Sequence, residues 1–194
     1  MGFLSSDDLK GFSRLGKNVL ISNQAIIYGR ENIVIGDNVR IDAGTIILAK
    51  GGGLNIGPHT HIASQCLLSC NGLITLQGFN AISFGSKLIS GSDDFGGDFL
   101  VGPLFDADYI KVTKEPIIMM QNAAIGSDSI LLPGVRMAEG SVLGAKSLLN
   151  NSTQPWKIYF GSPAKEIKDR SRNAKNLAAN WEIEWKRKHY SSPS

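Results

Sequence analysis

Ile35-Gly36-Asp37-Asn38-Val39-Arg40-Ile41-Asp42-Ala43-Gly44-Thr45-Ile46-Ile47 places isoleucine at 35, 41 and 47, one ladder aliphatic every six residues. The same step returns at Ile56, Ile62 and Leu68, and again at Leu76, Ile82 and Leu88. Equivalent positions in successive sets lie 21 and then 20 residues apart, so each set reads as one turn of a coil with three flat faces and a short corner insertion. Stacked turns lie about 4.8 Å apart, and a column of aliphatics then forms a continuous core. A period of six does not keep a 3.6-residue stripe, which excludes an amphipathic helix here.

Four residues after each ladder aliphatic stand Val39, Thr45, Thr60, Cys66, Asn80 and Ser86, small enough for tight inner corners. Gly36 and Gly57 follow an aliphatic directly and are expected to adopt backbone angles closed to other residues. The pattern extends back through Ile21 and Ile27 and resumes at Ile125, Leu131, Met137, Leu143 and Leu149. Roughly six coils, about 30 Å of solenoid, are predicted.

Open solenoid ends need covering. Ser5-Ser6-Asp7-Asp8 reads as the start of a short N-terminal helix, with Leu9, Phe12 and Leu15 packing on the first turn. Ala174, Leu177, Ala178, Trp181 and Trp185 give a C-terminal helix one apolar face, suited to a cap or to packing between subunits. The predicted organisation is one unit of 194 residues: cap 1–18, β-helix 19–163 interrupted by a loop at 89–116, and helix and tail 164–194.

With Lys+Arg 20 against Asp+Glu 17, the chain has no overall charge that would ask for nucleic acid. No stretch approaches the roughly 18 apolar residues of a membrane span, so a cytoplasmic protein without stable membrane insertion is expected. Two cysteines, Cys66 and Cys70, are too few for a disulfide framework and fit a reducing compartment.

In the interruption, Ser90-Gly91-Ser92-Asp93-Asp94-Phe95 and the following Phe99, Phe105 and Tyr109 combine carboxylates with aromatics, the groups that bond to and stack on sugars. Taken with Ile125-Gly126 through Leu132-Pro133-Gly134-Val135, with Gly144-Ala145-Lys146-Ser147, and with Tyr159-Phe160-Gly161-Ser162-Pro163-Ala164-Lys165, this order resembles the hexapeptide-repeat acyltransferases. The likeness is particularly to the sugar acetyltransferases of O-antigen, lipopolysaccharide and capsule pathways. That resemblance implies the left hand of the β-helix, which spacing alone does not determine. It also implies a homotrimer, acetyl-CoA as cosubstrate and no metal.

The resemblance assigns acetyl-CoA to the outside of the last coils, at Ala124, Gly126, Gly144, Ala145, Lys146, Gly161, Ser162, Pro163, Ala164 and Lys165. Lys165, with Lys168 and Arg170, would meet its phosphates. Ser92, Phe95, Phe99 and Tyr109 would contact the acceptor sugar. Relatives commonly use a loop histidine as base, whereas this loop contains Asp93 and Asp94 and no histidine. The catalytic candidates are therefore Asp94, Asp93 and, from an adjacent subunit, the outward-pointing His61. An alcohol benefits strongly from a base while an amine attacks with less help, so the missing histidine tilts the reading toward an amino sugar. The competing reading is a non-catalytic solenoid serving as an assembly module.

Overall fold

The computed structural model describes residues 2–190; residue 1 and residues 191–194, the extremes of the expected cap and tail, lie outside the described residues. The expected ladders form in register. Leu15, Ile35, Ile56, Leu76, Met119 and Met137 stack on the first face. Ile21, Ile41, Ile62, Ile82, Ile125, Leu143 and Tyr159 stack on the second. Ile27, Ile47, Leu68, Leu88, Leu131 and Leu149 stack on the third. All pairings within the coil are parallel, giving six three-sided turns and one face of a seventh. Each ladder side chain between the first and last turns has a neighbour above and below, and most are 0–2% exposed. The small corner residues are equally enclosed: Thr45 Oγ1 donates to Ala63 O (2.9 Å) and Asn80 Nδ2 to Ala123 O (3.0 Å).

Three expectations change. Gly36 and Gly57 keep ordinary negative φ; the left-handed positions fall two residues later, at Asn38 (φ 53°), His59 (56°) and Phe79 (51°). Glycine is required because the coils touch: a Cβ at Gly57 would lie 2.5 Å from the carbonyl carbon of Gln77. The N-terminal segment forms turns and no helix. Ser5 and Asp8 make the hydrogen bonds of a helix start, Ser5 Oγ to Asp8 Oδ2 at 2.6 Å and Asp8 N to Ser5 Oγ at 3.3 Å. Gly11 takes φ 94° just beyond, too soon for a costly helix nucleus to propagate. Leu4, Leu9 and Phe12 still pack on the core, while Leu15 belongs to the first ladder, so the coil begins at Arg14 and not at 19.

At the other end Ala164–Asp169 is a strand, antiparallel to Lys157–Gly161, and it covers the last edge of the second face. That hairpin and Trp156 do the closing that was expected of the helix. The helix, Asn173–Tyr190 (α1), runs back along the outside of the corner between the first and second faces. Its Lys175 pairs with Glu139 on the sixth turn (3.1 Å), Glu182 meets His59 on the third (2.7 Å), and Tyr190 donates to Asp37 on the second. Eighteen residues span about 27 Å, enough to bridge those turns. Trp185 is buried, but Leu177 and Trp181 remain exposed, so the apolar face is only partly covered.

Cys66 and Cys70 are free and buried, and burial pushes their thiols up to about 11 and about 12. Thiols held protonated in this way are poor nucleophiles. No helix among the described residues is long and apolar enough to cross a membrane.

Candidate active site

The interruption leaves the corner between the third and first faces, after Lys87–Ile89, and returns at Ile117–Met119. Its base is a two-stranded antiparallel ribbon, Gly91–Asp93 against Val112–Lys114. Ser90 is fully buried beneath it, its Oγ donating to Ser69 O at 2.9 Å. The two loop aspartates are used differently. Asp94 accepts from three backbone N–H groups: Gly96 on Oδ1 (3.0 Å), and Asp98 (3.0 Å) and Phe99 (3.1 Å) on Oδ2. These bonds, that from Gly96 foremost, hold its carboxyl below the ordinary aspartate value, which makes it a weak base. Asp93 spends only Oδ2, on Gly102 N–H (3.2 Å); Oδ1 takes no hydrogen bond from the described residues. Ser92 turns its hydroxyl to Asp93 O (3.1 Å). Phe99 lies under the Lys111 ammonium, while Phe95 and Tyr109 stand in solvent.

A second group gathers at the corner between the second and third faces, over the last three turns. Gly126 and Gly144-Ala145-Lys146 follow the strands Ala124–Ile125 and Val142–Leu143. The turn Gly161-Ser162-Pro163-Ala164 and Lys165 joins them, Gly161 N–H donating to Ser147 Oγ at 3.0 Å. Gly126 and Gly144 have a structural reason to be glycine: a Cβ at 126 would lie 2.4 Å from Ala145 N, and one at 144 would lie 2.5 Å from the Phe160 ring. Lys146, Lys165 and Lys168 are exposed and form no ion pair among the described residues. Arg170 is different. Its Nη1 donates to Asn122 O (2.7 Å) and Gly140 O (2.9 Å), and its guanidinium lies near Trp156, so its expected part in holding phosphates gives way to clamping two turns of the coil.

His61 projects from the second face, across the prism from the corner that carries the loop, so one chain does not bring it to Asp93. Its Nε2 lies 2.7 Å from Asp42 Oδ2, and Asp42 Oδ1 accepts from Arg40 Nε at 2.7 Å. Burial raises the Asp42 carboxyl, but the bonds from His61 and Arg40 outweigh it and the group stays low. Asp42 was missed in the sequence reading. The signal available was positional: Arg40 and Asp42 alternate about inward Ile41, and Arg40 stands in register with His61.

No family model matches the chain. Among curated proteins, the dTDP-4-amino-4,6-dideoxy-D-glucose acyltransferase of Escherichia coli is 32% identical over 179 residues, 91% of this chain and 93% of that protein. This chain belongs to the sugar acyltransferases. Solved structures agree over nearly the whole length. AntD, an N-acyltransferase from Bacillus cereus, in complex with dTDP and 3-hydroxybutyryl-CoA, superposes with a TM-score of 0.89 at 36% identity, covering 94% of this chain and 97% of that one. A variant of AntD in complex with dTDP-4-amino-4,6-dideoxyglucose and Coenzyme A gives 0.88 at the same identity, covering 94% and 98%. The coil of this acyltransferase is accordingly the left-handed parallel β-helix. It is an enzyme that uses acyl-CoA to acylate a sugar, and the non-catalytic reading falls away.

Proposed function

We propose that this acyltransferase transfers an acyl group, acetyl in the first instance, to the amino group of a nucleotide-linked 4-amino-4,6-dideoxy sugar. It would do so in the cytoplasm and in the service of lipopolysaccharide or O-antigen assembly. The loop carries the reading: it offers a carboxylate oxygen on Asp93 free to accept an ammonium or amine N–H, and no imidazole to activate a hydroxyl. The sugar nitrogen attacks the thioester carbonyl carbon, a C–N bond forms, the C–S bond breaks and CoA leaves as its thiolate. Asp93 orients the nitrogen and takes its proton. Asp94 holds the loop around it, and Ser92, Phe95, Phe99 and Tyr109 surround the sugar. Acyl-CoA follows the corner from Ala124 and Gly126 through Gly144, Ala145 and Lys146 to Gly161, Ser162, Pro163, Ala164 and Lys165.

Loop and acyl-CoA corner belong to different edges of the prism, with the third face between them. A homotrimer joins the loop of one copy to the acyl-CoA corner of the next. Two exposed apolar surfaces support this: Ile26, Tyr28, Ile46 and Leu48 on the third face, and Phe95, Leu100, Val101 and Leu104 on the loop, where Leu104 is 89% exposed. Sedimentation equilibrium should give three times the 20.9 kDa chain mass; a monomer at working concentration overturns the trimer.

Activity is tested by following CoA release with acetyl-CoA and dTDP-4-amino-4,6-dideoxyglucose, beside the sugar bearing a hydroxyl at the same carbon. The amine should react at least about tenfold faster. Equal rates, or a preference for the hydroxyl, overturn the N-acyl reading. Lys165→Ala should weaken acetyl-CoA binding about five- to tenfold at low salt with no loss of stability, because its ammonium is exposed and has no ion-pair partner among the described residues. An unchanged dissociation constant by calorimetry removes Lys165 from the site.

A further inference from the structure

At the end of the coil away from the acyl-CoA corner, the last turns of α1 and the first face enclose a cavity of about 370 Å³ between Arg14, Val34, Asn55, Trp185, Lys186 and Tyr190. That is the size of a small-molecule site. Trp185 is only 5% exposed, and its indole Nε1–H is the one buried side-chain polar atom among the described residues that has no hydrogen-bond partner. Because that nitrogen is closed to solvent, it is the ring that Trp185 offers to the cavity. The ring is held firmly, stacked on His189 at 3.6 Å and edge-on to His59 at 5.4 Å. Of the three clefts along the helix, Trp185 lines this one alone.

Charge narrows the ligand class. The two carboxylates at the cavity are already engaged: Asp37 accepts from Lys17 N–H (2.8 Å) and from the Tyr190 hydroxyl, and Glu182 pairs with His59 (2.7 Å) and Lys186 (3.1 Å). Arg14 has no ion-pair partner among the described residues, and Lys17 lies over the Tyr190 ring beside it. The spare charge is positive, and the lining around it is mostly apolar. We propose that this cavity binds a small carboxylate with an apolar body, its carboxylate on Arg14 and its body against the Trp185 ring, at a site separate from acyl transfer.

The test uses the whole protein labelled with nitrogen-15 and sodium hexanoate as probe, with hexan-1-ol as its uncharged counterpart. The three tryptophans give three indole signals, and Trp185→Phe identifies the one concerned. Hexanoate should shift the Trp185 indole signal saturably, with a dissociation constant of about a millimolar. Hexan-1-ol should bind at least about tenfold more weakly, and Arg14→Met should weaken hexanoate about fivefold or more. An unmoved Trp185 signal, a shift that does not saturate, or equal responses to acid and alcohol overturns the proposal. So does an Arg14→Met protein that binds hexanoate as well as the parent. None of these readouts depends on turnover, so failure here leaves the acyltransferase assignment untouched.

Discussion

Asp93→Asn should lower turnover on the amino sugar about a hundredfold while acetyl-CoA binding stays intact. The change keeps the shape of the side chain and one oxygen for the Gly102 N–H. What it removes is the carboxylate's charge and basicity at the oxygen left over for the substrate. Asp94→Asn makes the comparison informative. Both Asp94 oxygens already serve the loop backbone through three N–H bonds, and an amide has only one oxygen to offer. Its main loss should be in KM for the acceptor, as the loop loosens around Phe95 and Phe99. Steady-state kinetics with saturating acetyl-CoA separate the two. If Asp94→Asn loses turnover and Asp93→Asn does not, the roles assigned here are reversed. If both keep turnover, the amine reacts without a loop base and His61→Ala becomes the remaining test.

Arg170→Met should destabilise the protein by about 3 kcal/mol, read as a fall in Tm of about 6–12 °C. Methionine keeps a stem against Trp156 but strands the carbonyls of Asn122 and Gly140, which the guanidinium joins at 2.7 and 2.9 Å across adjacent turns. Acetyl-CoA affinity should change less than about twofold. A variant with unchanged Tm and weakened acetyl-CoA binding would return Arg170 to the phosphate-binding role that its place beside Lys165 and Lys168 suggested.

Asp94 and Arg170 show the same limit of reading along the chain. Asp94 lies in the loop that its motif indicated, whereas Arg170 reaches the corner between the first and second faces, across the second face from Gly126 and Gly144. Whether a charged group faces solvent or is consumed by backbone depends on contacts that a motif does not encode. His61 is a third case, since its outward direction was legible from adjacent Ile62 while its partner Asp42 lies 19 residues earlier, one turn down the coil. The glycines proposed for acyl-CoA are a fourth: Gly126 and Gly144 match a motif, and the packing of the next turn would demand them with or without a ligand.

The sequence by itself determined the coil, its three faces, its core and the position of its interruption. Inward residues repeat every six positions, and any residue in a ladder meets its equivalent one turn away, so periodicity and burial are the same information. Only the tertiary structure decided the course of α1, the closing hairpin at 157–169 and the pairing of charges on the outside. The docking of α1 joins residues as far apart in the chain as His59 with Glu182 and Asp37 with Tyr190, and it and the hairpin are held by side chains that obey no repeat. Surface ion pairs are each worth little against the core, so the sequence pattern that secures the fold is silent about them.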